Sequence, residues 1–403
     1  MAAEFPVIRT KTLIPRRRSE ILSRPRLLDI LDNVLDLKLL ILAAPAGYGK
    51  TSLIVDFSHH TQVPVCWYAL DPLDSDPKRF IAHFIAAIQG KFPTFGLMAQ
   101  ASLADLNQDR VNLDPIISSI VNDIYENITE NFIFVLDDYH LVRDSKPIEM
   151  FVNRIIQECA ENCHFIIASR TLLTLPDLSL LVARSQVDGL SFEELAFLPE
   201  EIKQLMAVNY HQTISDQKAD EMIARTEGWI TGLLLTAQLT PKGASERSRV
   251  EKVSGVGIYE YLTQQVFDRQ SASMQSFLLR TSLLEEFDAS LCEKIIGKAL
   301  GLAGQNWDEV IDRIQRDNLF VLPVGDETVF LRYHHLFRDF LQNRMRVERP
   351  DETRQIETEL AFYFESIQEW ERAISIYFRI GTPEQQVEMI RRAASSLILS
   401  GRW

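Results

Sequence analysis

Leu39-Leu40-Ile41-Leu42-Ala43-Ala44-Pro45-Ala46-Gly47-Tyr48-Gly49-Lys50-Thr51-Ser52 is the stretch that decides the fold of this chain. Its continuous apolar run predicts a buried parallel strand. The run breaks into a short Gly-containing loop and then into Lys-Thr at the start of a helical pattern. That order is the strand, loop and helix of a phosphate-binding loop, in which backbone N–H groups and the helix N-terminus form an anion cradle. Ala46, Gly47, Tyr48, Gly49, Lys50, Thr51 and Ser52 are therefore the candidate nucleotide-binding residues. Lys50 can reach the β- and γ-phosphates of ATP or ADP, and the Thr51 hydroxyl can ligate Mg²⁺. The motif departs from G-x-x-x-x-G-K-[ST] at its first position, where Ala44 stands, while Gly47 and Gly49 keep two permissive positions close to the phosphates.

Further along, Asn131-Phe132-Ile133-Phe134-Val135-Leu136-Asp137-Asp138 reads as a buried strand ending in two carboxylates. Mg²⁺ takes hard oxygen ligands and keeps several waters, so Asp137 suits holding it, partly through water, alongside Thr51. Asp138 is the candidate base that polarises an attacking water. His164 to Ala168 is another buried strand, followed by Ser169-Arg170. Arg170 would point from a strand's carboxyl end into the same crevice and sense a γ-phosphate.

The rest of the chain places these motifs in a larger frame. An irregular arm punctuated by Pro6, Pro15 and Pro25 opens the chain, and Arg26 to Leu37 has helical spacing. Thr51 to His60, Pro77 to Gly90, Asp114 to Asn127 and Pro147 to Cys159 read as helices, and Val63 to Leu70 as a strand. Asp71 to Asp76 is an acidic, turn-rich loop, and residues 91–112 read as loop with some helix. Strands alternating with helices predict a doubly wound α/β domain with a parallel sheet. Strand signals nearly stop after about residue 190, and helices follow over Ser215 to Thr226 and Trp229 to Leu239, with another opening at Leu198-Pro199. A polar linker spans Thr240 to Ser254, and Gly257 to Phe267 and Met274 to Leu284 are helical. Leu319 to Leu331 reads as a hairpin around a Gly-Asp turn. Helices cover Tyr333 to Val347, Glu352 to Glu369 and Trp370 to Ile380. The chain stops at Gly401-Arg402-Trp403 in a helical region without a polar cap, which predicts that the protein continues past Trp403.

Composition narrows the function classes. The 403 residues suit several domains. A formal net charge of −14 disfavours direct nucleic-acid binding by this segment. Arg9, Lys11, Arg16, Arg17, Arg18, Arg24 and Arg26 nevertheless form a local basic run, either a solvated tail or a functional patch. No transmembrane span or signal-peptide core is visible, and four cysteines make no disulfide framework, so a cytoplasmic protein is expected. Cys159, Cys163 and His164 lack a second ligand pair nearby, so buried free thiols are expected rather than zinc.

Two further stretches stand out. Thr226-Glu227-Gly228-Trp229-Ile230-Thr231-Gly232-Leu233 sets a Trp between two glycines, as close helix packing around a core Trp would require. Tyr333-His334-His335-Leu336-Phe337 places a His pair at a helix start after a hairpin, and His335 is expected to face another way from His334. With Ala44 to Thr51, Leu136-Asp137-Asp138-Tyr139-His140 and Ala168-Ser169-Arg170, in this order, these stretches resemble the STAND signal-transduction ATPases, in particular the MalT-like regulators. The resemblance covers roughly residues 5–345.

It implies a P-loop nucleotide-binding domain over 1–192, a small helical domain over 193–262, a winged-helix domain over 263–346 and a helical arm over 347–403. It further implies that Ile21 to Arg26, through Leu22 and Arg24, wraps the adenine, and that His334 contacts the β-phosphate. Where relatives carry Gly-Leu-Pro-Leu near the adenine, this chain has Gly228-Trp229-Ile230-Thr231. The function implied is an autoinhibited switch that holds ADP as a monomer at rest. It self-associates with ATP and an inducer sensed beyond Trp403, and slow hydrolysis resets it. A steady-turnover ATPase or remodeller, and a scaffold that binds nucleotide without turnover, are the alternatives.

Overall fold

A computed structural model describes residues 7–104, 112–237, 258–302, 304–324 and 330–399. The chain divides into two compact units, Met1–Gly243 and Ala244–Trp403. No helix among the described residues is long and apolar enough to cross a membrane.

The first unit is built on a parallel sheet of five strands in the order β2-β3-β4-β1-β5. They are β1 (Leu39–Ala43), β2 (Val65–Ala69), β3 (Phe132–Asp137), β4 (Cys163–Ser169) and β5 (Val187–Leu190). β3 and β4 are buried at every position, as a strand covered by helices on both faces must be. The expected strands are therefore present. β5 was not expected. It lies at the sheet edge, has two exposed central residues and pairs only with β1, so it lacks the apolar run that marks a covered strand. Its Gly189 passes the Ile41 carbonyl so closely that a Cβ would lie 3.0 Å from that oxygen.

Helices α1 (Pro25–Asp32), α2 (Lys50–His60), α3 (Pro77–Gln89), α4 (Leu97–Ala104), α5 (Asp114–Asn127) and α6 (Lys146–Glu158) come before or between the strands. α3, α5 and α6 carry their Ile and Phe stripes into one core with Phe132, Phe134 and Phe165 of the sheet. The acidic turn at Asp71 to Asp76 is a 3₁₀ turn closed by a capping box, in which Asp71 accepts from Leu73 N–H and Asp74 from Asp71 N–H. Two short helices, α7 (Leu178–Ala183) and α8 (Phe192–Leu195), flank β5. α9 (Pro199–Tyr210), α10 (Asp216–Thr226) and α11 (Ile230–Ala237) form a small helical layer around Phe197, Ile202, Leu205, Met206 and Leu233, with Leu22 of the arm packed against it. The expected linker over Thr240 to Ser254 lies outside the described residues.

The basic run near the N-terminus proves to be neither a solvated tail nor a free patch over most of its length. Lys11 pairs with Asp71 and Asp74, Arg17 Nε lies 2.6 Å from Asp56, and Arg24 and Arg26 both meet Glu201 of α9. Arg9, Arg16 and Arg18 remain on the exposed side. Cys66, Cys159 and Cys163 are buried free thiols, as expected, and His164 Nδ1 bonds the Leu37 carbonyl at 2.7 Å.

In the second unit, Ile258–Leu262 runs on into a π turn at Thr263–Phe267 and is followed by a helix over Ala272–Thr281. Residues 289–300 and Trp307–Arg316 are also helical. Neither was expected, although Trp307, Val310, Ile311 and Ile314 of the second stand at the i, i+3, i+4, i+7 spacing of an amphipathic helix. The hairpin is present as β6 (Val321–Val324) and β7 (Phe330–Tyr333), antiparallel with Val321 opposite Tyr333. Its Gly-Asp turn lies outside the described residues. Phe277, Phe287, Trp307, Tyr333, Phe337 and Phe340 form a continuous aromatic core, and the Tyr333 hydroxyl lies 2.7 Å from Thr281 Oγ1. The helix His335–Glu348 completes this winged helix, and Pro350–Ser366, Trp370–Ile380 and Pro383–Leu399 pack successively as a helical arm. The architecture is the multidomain one expected, a P-loop parallel-sheet domain followed by helical, winged-helix and helical-arm parts.

Candidate nucleotide site

The sheet order builds the site. β4 lies between β1 and β3, so Ser169-Arg170 leaves the sheet between the phosphate loop and the two carboxylates. Ala43 is in register with Ser169, and Leu136 with Ile167. All three strands run parallel, so their carboxyl ends open on one crevice, where α/β sheets bind ligands.

The phosphate loop adopts its turn through two left-handed residues, Gly47 at φ +81° and Gly49 at φ +84°. Gly49 is the N-cap of α2, and Lys50 and Thr51 open the helix. The Lys50 ammonium is buried and donates to the Ala44 carbonyl at 2.5 Å and the Pro45 carbonyl at 3.1 Å. Burial lowers its pKa to about 8, with Arg170 acting in the same direction and Asp138 and Asp137 opposing. The Thr51 hydroxyl lies 3.0 and 3.1 Å from the two oxygens of Asp137. Ser52 follows on the exposed side of the first turn.

Asp137 is buried, and its pKa is pushed up to about 7 by desolvation first and by the neighbouring Asp138 second, against the Thr51 hydrogen bond and the Lys50 charge. Asp138 stands in the left-handed region at φ +60°, its N–H 3.1 Å from Asp137 Oδ1. An aspartate tolerates that conformation better than most residues, and the kink turns Asp138 out of the strand, leaving its carboxylate about two-fifths exposed. Lys50, Asp137, Asp138 and Arg170 thus share one electrostatic neighbourhood. The hard-oxygen pair of Thr51 and Asp137 fits Mg²⁺. A loop with two left-handed glycines fits a phosphate chain.

The helical layer closes against the outer side of this loop. Trp229, fully buried, donates its indole N–H to the Ala46 carbonyl at 3.0 Å. Thr231 donates its hydroxyl to the Gly47 carbonyl at 3.0 Å and its backbone N–H to the same oxygen at 3.2 Å. Tyr48 is buried, its ring edge-on to Phe192 of α8 at 6.1 Å. From the sequence Trp229 is expected in a helix core, and the resemblance puts its stretch near the adenine; neither expectation gives it a contact with the phosphate loop. The signal that it serves the loop is three-dimensional, because Ala46 and Trp229 are 183 positions apart.

The other residues that the resemblance singles out are also placed. Arg24 is buried, and its guanidinium donates to the Leu195 and Ala196 carbonyls at 2.8 and 2.7 Å, meets Glu201 at 3.0 Å and lies 4.2 Å over the Phe197 ring. Leu22 is half-buried. In the second unit, His334 is buried at the N-cap of His335–Glu348, its N–H on the Phe320 carbonyl at 2.8 Å. The expectation that His335 faces another way fails. The two imidazoles stack at 5.0 Å and 15°. His334 has non-helical backbone just outside the helix, not the helical turn that would rotate neighbouring side chains apart.

The fold is that of a P-loop NTPase domain followed along the chain by a winged-helix domain. The family model of the MalT winged helix domain matches residues 263–353. The HTH-type transcriptional regulators MalT of Yersinia pestis and Yersinia enterocolitica are each 28% identical to this chain over 346 residues, 85% of this chain and 37% of the relative. A Walker-type ATPase of Pyrococcus abyssi has a similar fold, with a TM-score of 0.55 at 14% identity over 81% of this chain and 97% of that one. The chain is thus similar to the MalT regulators over most of its length, and it spans 37% of the length of these relatives.

Proposed function

We propose that this segment is the nucleotide-operated switch module of a transcriptional regulator. ADP is held at rest by a monomer. ATP, with an inducer acting through parts of the regulator beyond this segment, releases the module to self-associate, and slow hydrolysis of ATP resets it. The observation that carries the reading is the convergence of Lys50, Thr51, Asp137, Asp138 and Arg170 at the carboxyl ends of three adjacent strands. The regulator context comes from the MalT relatives and the MalT winged helix domain.

In this reading Thr51 and Asp137 hold Mg²⁺, partly through water, and the ion when bound supplies charge neutralisation to the phosphates. Lys50 leaves the loop carbonyls for the β- and γ-phosphates. Asp138, turned toward solvent, polarises the attacking water, and Arg170 senses the γ-phosphate. Leu22 and the Arg24 segment take the adenine, with the Arg24 guanidinium holding that segment to α9 rather than reaching the base. The division into domains over 1–192, 193–262, 263–346 and 347–403 belongs to the same proposal, as does the expectation that this acidic segment does not itself bind nucleic acid.

The test is direct. Purified protein is denatured and its released small molecules are separated by chromatography. ADP in near-stoichiometric amount is the expected result. Protein that carries no nucleotide and binds neither ADP nor ATP in titration calorimetry overturns the reading. Sustained turnover without an inducer favours a remodelling enzyme instead.

A further inference from the structure

We propose that Trp229 and Thr231 are positioning residues for phosphate binding, acting through the backbone of the phosphate loop. The inference rests on the nucleotide reading of the site. It concerns residues that meet the loop through its carbonyl groups.

In a trans peptide the C=O and the following N–H point in opposite directions. Trp229 pins the Ala46 carbonyl from the helical layer, which aims the Gly47 N–H the other way. Thr231 pins the Gly47 carbonyl with two donors, which aims the Tyr48 N–H the other way. Three donors on the outer side of the loop therefore set two N–H groups toward its inner side, where an anion cradle needs them. Left unpinned, a loop with two left-handed glycines has other peptide orientations open to it. The contact is also close. A Cβ on Gly47 would lie 2.3 Å from Thr231 Oγ1 and 2.9 Å from Trp229 Nε1.

The pinning residues are themselves held in place. Gly228, at φ +73°, accepts the Phe197 N–H at 2.9 Å, and a Cβ there would fall 2.8 Å from the Phe197 backbone. Phe197 lies beneath the Arg24 guanidinium. The turn that carries Trp229 is thus set by the arm and by the segment before α9, so its two side chains meet the loop in one geometry. By reciprocity, phosphate bound in the cradle strengthens the attachment of the helical layer to the loop.

The experiment compares ligands with and without phosphates. Protein stripped of nucleotide is titrated with a fluorescent ADP analogue, and ADP and adenosine are competed against it. Thr231→Val removes one donor at constant shape and is expected to weaken ADP about three- to tenfold while leaving adenosine unchanged. Trp229→Phe is expected to act in the same direction, and Thr231→Ser to match the parent. Circular dichroism melting checks that each variant is folded, and Thr231→Val decides the matter if Trp229→Phe is not. Thr231→Val that binds ADP like the parent overturns the proposal, as does a loss shared equally by adenosine, which would put these residues on the base. A parent that binds neither ligand overturns the nucleotide reading and this proposal with it. Parent binding with unaffected variants removes this proposal alone.

Discussion

At the scale of single residues the site is a balance of two cations and two carboxylates held close together in a partly dry crevice. Lys50 is the most exposed to test, since its ammonium is satisfied by the Ala44 and Pro45 carbonyls before any ligand arrives. Exchanging those neutral acceptors for phosphate oxygens adds an opposite charge on the acceptor side. Lys50→Ala is expected to lose about 1.5–3 kcal/mol of that contact, a drop of roughly tenfold or more in ADP affinity by titration calorimetry. Unchanged affinity would remove Lys50 from the site. Asp138 makes a separate prediction, because its carboxylate is about two-fifths exposed while the Thr51 hydroxyl bonds Asp137. Asp138→Asn should bind nucleotide like the parent and fail to hydrolyse ATP in a single-turnover assay. A variant that hydrolyses at the parent rate would show that Asp138 is not the base, and one that cannot bind would show that its role is structural.

At the scale of elements the N-terminal arm behaves as a strap fastened along the first unit. Burial alone would raise the pKa of Glu201, but hydrogen bonds from Arg26 and Arg24 hold its carboxyl below the usual range. Glu201→Ala would leave buried Arg24 without its counter-charge, at a cost of about 3–5 kcal/mol in denaturant unfolding. It should also speed tryptic cleavage at the exposed Arg16 and Arg18, and an unchanged cleavage rate would mean that the arm is held elsewhere. The other end of the strap is fastened by a neutral imidazole. His83 Nε2 accepts the Ile8 N–H at 3.0 Å, and Nδ1 donates to the Arg79 carbonyl at 2.8 Å. It stacks on Tyr68. Burial holds its pKa below the ordinary value, with Lys11 and Arg79 acting the same way and Asp74 against them. A base with a depressed folded pKa takes its proton first in the unfolded chain, so stability falls as pH drops below about 6.5. His83→Gln should flatten that slope in urea titrations between about pH 5 and 7. An identical slope would place the acid sensitivity in other groups.

At the scale of the whole molecule the prediction concerns the resting state. If a charge-assisted contact of His334 with phosphate belongs to the ADP-bound state alone, it biases the switch toward that state. At about 1.5–3 kcal/mol it would shift the ratio of states by roughly 10- to 150-fold. His334→Ala should release ADP faster and scatter more light with ATP, with melting curves checked so that release is not mistaken for unfolding. Retention of ADP as tight as the parent's would end that role. His335→Ala cannot serve as the control, because its ring stacks on that of His334.

How much of this was legible before the fold was known depended on whether the signal was local. The strand of Leu39–Ala43, the loop through Lys50-Thr51 and the strand ending in Asp137-Asp138 announce themselves, because a doubly covered strand must be apolar throughout and a phosphate loop needs its glycines and lysine in sequence. The edge strand Val187–Leu190 carries few buried residues and left no such trace, whereas the helix Trp307–Arg316 was legible in the spacing of Trp307, Val310, Ile311 and Ile314 and went unread. By itself the sequence determined the nucleotide-type chemistry, the parallel sheet and the order of the parts. Only the tertiary structure decided that Arg170 emerges between loop and carboxylates, that four of the basic residues in the arm are spent on internal ion pairs, and that Trp229 and Thr231 bond the Ala46 and Gly47 carbonyls of the phosphate loop. These contacts join residues far apart in the chain, and a hydrogen bond across 183 positions is set by where the backbone comes to rest, which no local pattern encodes.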